Sequence, residues 1–306
     1  RMEDEDGARA GEYTWNGSVG ADFWVDPGTE TIVVTMWQSA PANPSRLRQQ
    51  ILDIVRRSIE FALAEAARAG KRLTFAMTTN GLLLASFAGQ LKKAGVDRVN
   101  ISLDSLNFDS YAKITRGGDL AEVLAGIKAA EQAGLQLKLN MVVMRDANDS
   151  EIEAFAELSL DRSWSIRFIE YMPTIHTKAW RTKVVPGAEI LERLQKKYRM
   201  APLATGRMCG PSRPFRVEGA QGSIGIITPI SDHFCGSCNR IRVTSAGLAK
   251  GCLLSAQAVD LKPYLDQDDD RLCQALRQVI GNKVDRHQMT DDSSGSAPFI
   301  MAGIGG

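Results

Sequence analysis

The chain has 306 residues, 37 Lys+Arg against 36 Asp+Glu, 44% hydrophobic residues and five cysteines. That length and apolar content suit one large α/β domain or two smaller ones, and exclude wholesale disorder. A formal charge of +1 excludes a strong global field, so neither bulk nucleic-acid binding nor membrane-surface binding is expected.

Residues 1–31 show neither helical nor strand periodicity and read as an irregular segment. Thr31–Trp37 (TIVVTMW) is β-branched and apolar, the pattern of a strand buried on both faces. Asn43-Pro44 then predicts a helix start, with apolar residues recurring at Leu47, Ile51, Ile54, Val55, Ile59, Ala62 and Leu63 and a stop at Gly70. A strand at Arg72–Thr78, a helix over Leu82–Ala94 and a strand at Arg98–Leu103 follow. Asp119 and Glu122 make a capping-box pattern for a helix running to Gly134. Next come a strand at Leu135–Met144, a helix at Glu151–Leu160 and a strand at Ser165–Glu170. Alternation of this kind predicts a parallel sheet with crossover helices. Polar strand ends in TTNG, SLDS, KLN and FIEYM place a candidate site on the C-terminal rim of a barrel-type sheet.

After about residue 185 the composition changes. Gly-, Pro- and Ser-rich stretches separate short apolar runs, and helix-like segments appear around Val259–Leu265 and Arg271–Ile280. The expected organisation is an irregular start (1–31), an α/β core (32–172) and a smaller cysteine-containing unit (173–306). No apolar stretch approaches the roughly 18 residues of a membrane span. No basic start with an apolar core marks export, so the expected location is the cytoplasm.

Cys235, Cys238 and Cys252 fall within 18 residues, which reads as metal binding in a reducing compartment rather than a disulfide framework. The C-x2-C pair can reach one metal centre from a single turn, with Cys252 closing from the next strand or hairpin. Zinc, with His233 or Cys209 recruited as a fourth ligand, an iron–sulfur cluster, and unligated thiols all remain open on spacing alone. A [4Fe–4S] cluster held by three cysteines would leave one iron open to a small molecule. Arg240 and Arg242, two apart on one strand, share a face; guanidinium forks match phosphate oxygens, although a solvated strand face would read the same way. Cys273 lies in a helical pattern and reads as a buried apolar residue, while Cys209 sits in a Gly/Pro-flanked loop.

The segment FCGSCNRIRVTSAGLAKGCL resembles the C-terminal cluster signature of the GTP 3′,8-cyclases, the radical S-adenosylmethionine (SAM) enzymes that begin molybdenum-cofactor biosynthesis. TTNGLLL, AGVDRVNISLDSL, KLNMVVMRDANDSEI, IRFIEYMP and GSIGIITPISDHFCGSCNRIR sit in the family's order, and the closing Gly305-Gly306 resembles its terminal double glycine. The resemblance covers about residues 73–306. It implies an incomplete (β/α)6 radical-SAM-type partial TIM barrel with a C-terminal iron–sulfur extension. It further implies that Cys235, Cys238 and Cys252 hold an auxiliary [4Fe–4S] cluster. Thr78, Lys138, Arg167, Arg240 and Arg242 would contact GTP, Ser102 and Met172 would contact SAM, and Gly305 and Gly306 would enter the active site. The implied reaction converts GTP to (8S)-3′,8-cyclo-7,8-dihydroguanosine 5′-triphosphate, through a 5′-deoxyadenosyl radical, hydrogen abstraction at ribose C3′ and attack on guanine C8. Its partners would be GTP and a small-molecule reductant or electron-donor protein, with no nucleic acid or membrane, and with a homodimer left open.

The chain departs from the family where SAM is cleaved. Family members hold a second [4Fe–4S] cluster with C-x3-C-x2-C after the first strand, yet no cysteine precedes Cys209 here. The family's GGEP segment is replaced by Gln38-Ser39-Ala40-Pro41. Counting Thr31–Trp37 as the second strand leaves five of six core strands, and Arg1 suits an incomplete start. Three readings follow: a cyclase incomplete or altered at its start, a non-catalytic GTP-binding descendant, or a zinc-stabilised interaction module. None of them lets this polypeptide cleave SAM by itself.

Overall fold

A computed structural model describes the fold over residues 21–26, 31–36, 68, 70, 74–172, 180–204, 211–238, 241–243, 247–253, 255, 257–264 and 269–283. The sequence-predicted helix from Asn43 to Gly70 falls almost wholly outside these residues.

A nine-stranded sheet organises the described residues. Its strands are β1 (Ala21–Asp26), β2 (Thr31–Met36), β3 (Thr74–Thr79), β4 (Arg98–Ser102), β5 (Gln136–Val143), β6 (Ser165–Glu170), β7 (Met200–Pro202), β8 (Arg213–Val217) and β9 (Ser223–Ile227). Their order is β1-β2-β3-β4-β5-β6-β9-β8-β7. The six from β2 to β9 in that order are mutually parallel, and β1, β8 and β7 add antiparallel at the two edges. The sheet is therefore open, as a partial barrel is.

Two sequence expectations change here. Ala21–Asp26, inside the stretch read as irregular, pairs with β2 from Ala21↔Met36 to Asp26↔Thr31. The sheet also has a further parallel strand, β9, far beyond residue 172 and reached after a 52-residue excursion from Glu170 to Ser223; it pairs with β6, on the side away from β2, and is not the first strand expected beside β2. The sheet thus runs on past the point where the composition changes.

One face of this sheet is apolar because its strands alternate with period two. Val99, Ile101, Leu137, Leu139, Met141, Ile166, Phe168, Ile224 and Ile226 point to that side and are buried with the inner stripes of the helices. Those helices are α1 (Leu84–Lys93), α2 (Phe108–Thr115), α3 (Leu120–Gln132), α4 (Ile152–Glu157) and α5 (Gly187–Lys197). Phe155 and Phe168 are fully buried, and each contributes roughly 1.5–3 kcal/mol through removal from water. Asp119 caps α3 as expected, accepting from the Ala121 and Glu122 N–H groups at 2.8 and 3.4 Å. Gly126 on α3 has a packing reason: a Cβ there would lie 2.6 Å from the Gly81 carbonyl oxygen and 3.0 Å from Leu84 Cβ, so only glycine lets α1 and α3 approach.

Three helical assignments differ from the sequence reading. The α2 helix is new; it is capped by Asn107 and buries only Tyr111, too little for an apolar stripe. The α5 helix is also new, and buries Ile190 and Leu194. Val259–Leu265 is not helical over its described part. Val259–Asp260 forms a short strand, the Asp260 side chain accepts from the Lys262 N–H at 3.0 Å, and Pro263 lies within a single 3-10 turn. The expected helix at Arg271–Ile280 is present as α6 (Asp269–Gly281).

A second, smaller core lies in the cysteine-containing unit. Strands β10 (Arg242–Val243), β11 (Leu248–Lys250) and β12 (Val259–Asp260) form an antiparallel sheet, and Ala249, Leu261, Ala275 and Val279 pack between it and α6. Among the described residues no helix is long and apolar enough to cross a membrane.

The loops over the rim are tied down by polar side chains. Asn148 is fully buried; its amide donates to the Asp104 and Val142 carbonyls at 2.7 and 2.9 Å, and its oxygen accepts from the Met144 N–H at 2.7 Å. Glu151 accepts from the Ser105 hydroxyl and the Leu106 N–H at 2.7 and 2.6 Å. Asn148→Ala leaves these backbone groups unpaired in the interior, and should cost roughly 2–3 kcal/mol in urea unfolding. An unchanged midpoint would show that the turn is held by something else.

Candidate functional site

The face of the sheet opposite the helices is polar, and four residues expected to contact ligands share it. Strand register sets Thr78, Asn100, Lys138 and Ser165 in one row, and Ser102, Asn140, Arg167 and Gly225 in the next, nearer the C-terminal rim. The structure therefore brings Thr78 and Lys138 to either side of Asn100, and Ser102 and Arg167 to either side of Asn140. Met172 follows β6 at the same rim and is half-buried. The Arg167 stem runs over Gly225, where an added Cβ would stand 3.3 Å from Arg167 Cγ.

Sequence reasoning did not single out the two asparagines between these pairs. The Asn100 amide donates to the Thr78 hydroxyl at 3.2 Å, but the Oδ1 atoms of Asn100 and Asn140 are buried with no hydrogen-bond partner. A buried acceptor left unpaired costs about 1–3 kcal/mol, so these two oxygens suit a ligand that brings N–H or O–H donors. The available signal was an asparagine between buried apolar neighbours, Val99 and Ile101 in one strand and Leu139 and Met141 in the next.

The cysteine segment is positioned from the helix side of the same sheet. Glu170, the last residue of β6, is fully buried. Its carboxylate accepts from the Gly187 N–H at 2.7 Å, from the Ile230 and Ser231 N–H groups at 2.9 Å each, and from the Ser231 hydroxyl. Those contacts fix the loop after β9. His233 Nδ1 donates to the Pro229 carbonyl at 3.1 Å, since a carbonyl can only accept. The chain then makes a 3-10 turn at Cys235–Ser237, closed by the Cys238 N–H donating to the Cys235 carbonyl at 3.1 Å.

Cys252 arrives from the other direction, two residues after β11. Arg242 and Lys250 are direct partners across β10 and β11. Burial pushes the Lys250 ammonium below its ordinary pKa, nearby Cys252 opposes that shift, and Arg242 adds to it. A cavity of about 340 Å³ opens beside Cys252, lined by Gly251, Gln278, Val279 and Asn282. Lys283, just past α6, donates to Cys238 Sγ at 3.6 Å.

Cys235, Cys238 and Cys252 are free thiols and half-buried. Among the described residues no three His, Cys, Asp or Glu side chains gather around a common point, so the cysteines stand as two arms rather than a closed site. The donor chemistry and charge still fit a cluster: three soft sulfur donors, with Lys283 donating to Cys238 and the Arg242–Lys250 pair beside Cys252. Cys273, expected to be buried, is instead exposed on α6. Arg240, Cys209, Gly305 and Gly306 lie outside the described residues. Residues 1–208 contain no cysteine, so they offer no thiolate set for a SAM-cleaving cluster.

Comparison with known proteins gives the architecture its relatives. The radical SAM superfamily model matches residues 27–159, and the Molybdenum Cofactor Synthesis C model matches residues 164–289. A GTP 3′,8-cyclase of Geobacter sulfurreducens is 48% identical over 255 residues, covering 83% of this chain and 78% of that protein. This chain belongs to the GTP 3′,8-cyclase family. Cyclases of Listeria monocytogenes and Moorella thermoacetica agree, at 44% identity over 216 residues (70% of this chain, 65% of theirs) and 39% over 256 (83% and 79%). The two family matches meet between α4 and β6, so the last two parallel strands of the sheet belong to the C-terminal match.

Asp104, in the SLDS segment at this rim, supplies a pH test. Burial pushes its carboxyl pKa up, partly offset by the Val142 N–H that donates to it at 2.8 Å. A carboxyl with a raised folded pKa binds its proton more tightly in the native state. Its contribution is fully present below the unfolded value of about 3.9 and is lost as pH rises through the folded value. Asp104→Asn keeps an acceptor without the charge. The variant should match the parent at acid pH and gain on it progressively towards neutrality in urea melts; a constant difference across pH would refute the assignment.

Proposed function

We propose that this chain serves molybdenum-cofactor biosynthesis as a GTP 3′,8-cyclase polypeptide of a reducing, cytoplasmic compartment. GTP would be held between the polar sheet face and the cysteine-containing unit. Lys138 and Arg167 would supply charge, and Thr78 a hydroxyl, from adjacent rows of the sheet. Arg240 and Arg242 would take the triphosphate, because a guanidinium fork pairs two phosphate oxygens at once. Ser102 and Met172 stand at the rim for SAM, and Gly305 and Gly306 would close the site as a tail without side chains to fill it. Cys235, Cys238 and Cys252 would hold an auxiliary [4Fe–4S] cluster, which when bound supplies an open iron for the guanine base. The observation that carries this reading is the placement of Thr78, Ser102, Lys138 and Arg167 on one face around two unpaired buried acceptors, in a chain of this family.

A second reading concerns these 306 residues alone: they bind GTP without cleaving SAM, since residues 1–208 supply no thiolate. Anaerobic reconstitution with iron and sulfide separates the possibilities. About four irons per chain with GTP binding, and no 5′-deoxyadenosine from SAM and dithionite, is expected for this 306-residue polypeptide. Zinc retention without iron would overturn the auxiliary cluster. Formation of 5′-deoxyadenosine would show that SAM is cleaved by ligands other than N-terminal cysteines.

The phosphate assignment has its own test. Arg242→Ala should weaken GTP binding by roughly 10–100-fold, the scale of a lost charge-assisted hydrogen bond, and leave guanosine binding and iron content unchanged. Equal losses for GTP and guanosine would mean that Arg242 shapes the hairpin instead.

A further inference from the structure

Lys283 touches both arms of the cysteine site. Its ammonium donates to Cys238 Sγ at 3.6 Å, across 45 residues of sequence. Its stem lies against Gly251, the residue before Cys252: a Cβ added there would stand 3.0 Å from Lys283 Cγ and 2.7 Å from the Val279 carbonyl oxygen. The lysine is itself well anchored. Its N–H donates to the Ile280 carbonyl at 3.1 Å, at the end of a helix whose Ala275 and Val279 are buried in the small core.

We propose that Lys283 is a positioning residue for the auxiliary cluster, donating a charge-assisted hydrogen bond to the Cys238 thiolate while it buttresses the strand end that presents Cys252. The inference rests on the assignment of these three cysteines as cluster ligands. A lysine past a helix C-terminus commonly serves only the helix dipole. Here the recorded donation goes to a ligand sulfur, and the same side chain packs on the backbone that carries another. Hydrogen bonds and positive charge at cluster sulfurs withdraw electron density and favour the reduced state, so they raise the reduction potential. Two thiolates fixed from different segments also have to keep their separation, which a single shared side chain helps to set.

The test uses the full chain, reconstituted anaerobically as the parent, Lys283→Met and Lys283→Arg. Iron and sulfide counts on the parent come first: a parent that takes up no iron defeats the ligand assignment itself. With iron present, the midpoint potential is read by EPR-monitored redox titration. Lys283→Met should lower it, so that at a fixed potential the reduced-to-oxidised ratio falls about tenfold, or 59 mV for a one-electron couple. Lys283→Arg, which keeps charge and donors, should recover most of that shift. Equal potentials for parent and Met variant at full iron content would overturn the proposal and leave Lys283 as a helix cap. Should the Met variant lose its fold, seen as a lowered melting temperature of the metal-free protein, Lys283→Gln carries the test. That variant keeps an N–H donor without charge; a potential below the parent's supports the role and an unchanged one defeats it.

Discussion

Glu170 ends a strand that is otherwise apolar on its helix side, and its carboxylate is fully buried there. A charge in such a place is costly unless donors surround it. Gly187 supplies one from the first turn of α5, where the helix dipole also favours a negative group, and the loop after β9 supplies three more. Each donor belongs to an element that the composition alone leaves undecided: a helix starting at Pro186-Gly187 and a loop of small and polar residues. The carboxylate therefore joins the central sheet to the excursion that returns as β9. It also sets where the chain leaves the sheet towards Cys235.

The sheet divides its labour by face. One side is a packing surface for helices, and its side chains leave little freedom to any residue there. The other carries Thr78, Asn100, Ser102, Lys138, Asn140 and Arg167, residues whose hydrogen-bonding capacity exceeds what the strands themselves can use. Polar groups held by rigid strands rather than loops keep their spacing, and this is the condition for recognising a ligand with several separated polar groups. The ion pairs Arg193–Glu153 and Lys197–Glu157 stitch α5 to α4 on the outside; the first is partly buried and doubly hydrogen-bonded, whereas the second is exposed and adds little to stability.

How much of this could be read from the sequence depended on periodicity. β4, β5 and β6 alternate or run apolar over five to eight residues, and α3 carries a capping aspartate, so both were legible. The α2 helix was not, since a helix with one buried residue has no stripe to detect. β9 was hidden in another way: SIGII is short, and its Gly225 reads as a turn residue although it makes room for the Ser212 hydroxyl and, beyond it, the Arg167 stem. The proline before α5 was a start signal masked by the shift in composition around it. At the site, the cysteines stood out by spacing and the segments that carry Thr78, Ser102 and Lys138 by their polar strand ends, while the individual ligand roles came from a family resemblance. Asn100 and Asn140 became visible only when their oxygens proved to be buried without donors. Lys283 stands 31 residues from Cys252 in the sequence, and only the fold of α6 against β11 brings it to the thiols.

The cross-strand pairing of Arg242 with Lys250 sets two cations on one face of a short hairpin. Like charges directly opposite one another destabilise a strand pair, and this pair lies within a three-stranded sheet whose own core is small. The repulsion between them is one of the causes that lower the Lys250 ammonium's pKa, and Cys252 opposes it. Under the proposed placement of the triphosphate on Arg242, the bound phosphates would offset that repulsion, and ordering of the hairpin and nucleotide affinity would draw on the same free energy. By linkage the relation would be reciprocal: whatever stiffened the strand leading to Cys252 would raise the affinity for that anion, and the bound anion would steady the segment that carries Cys252.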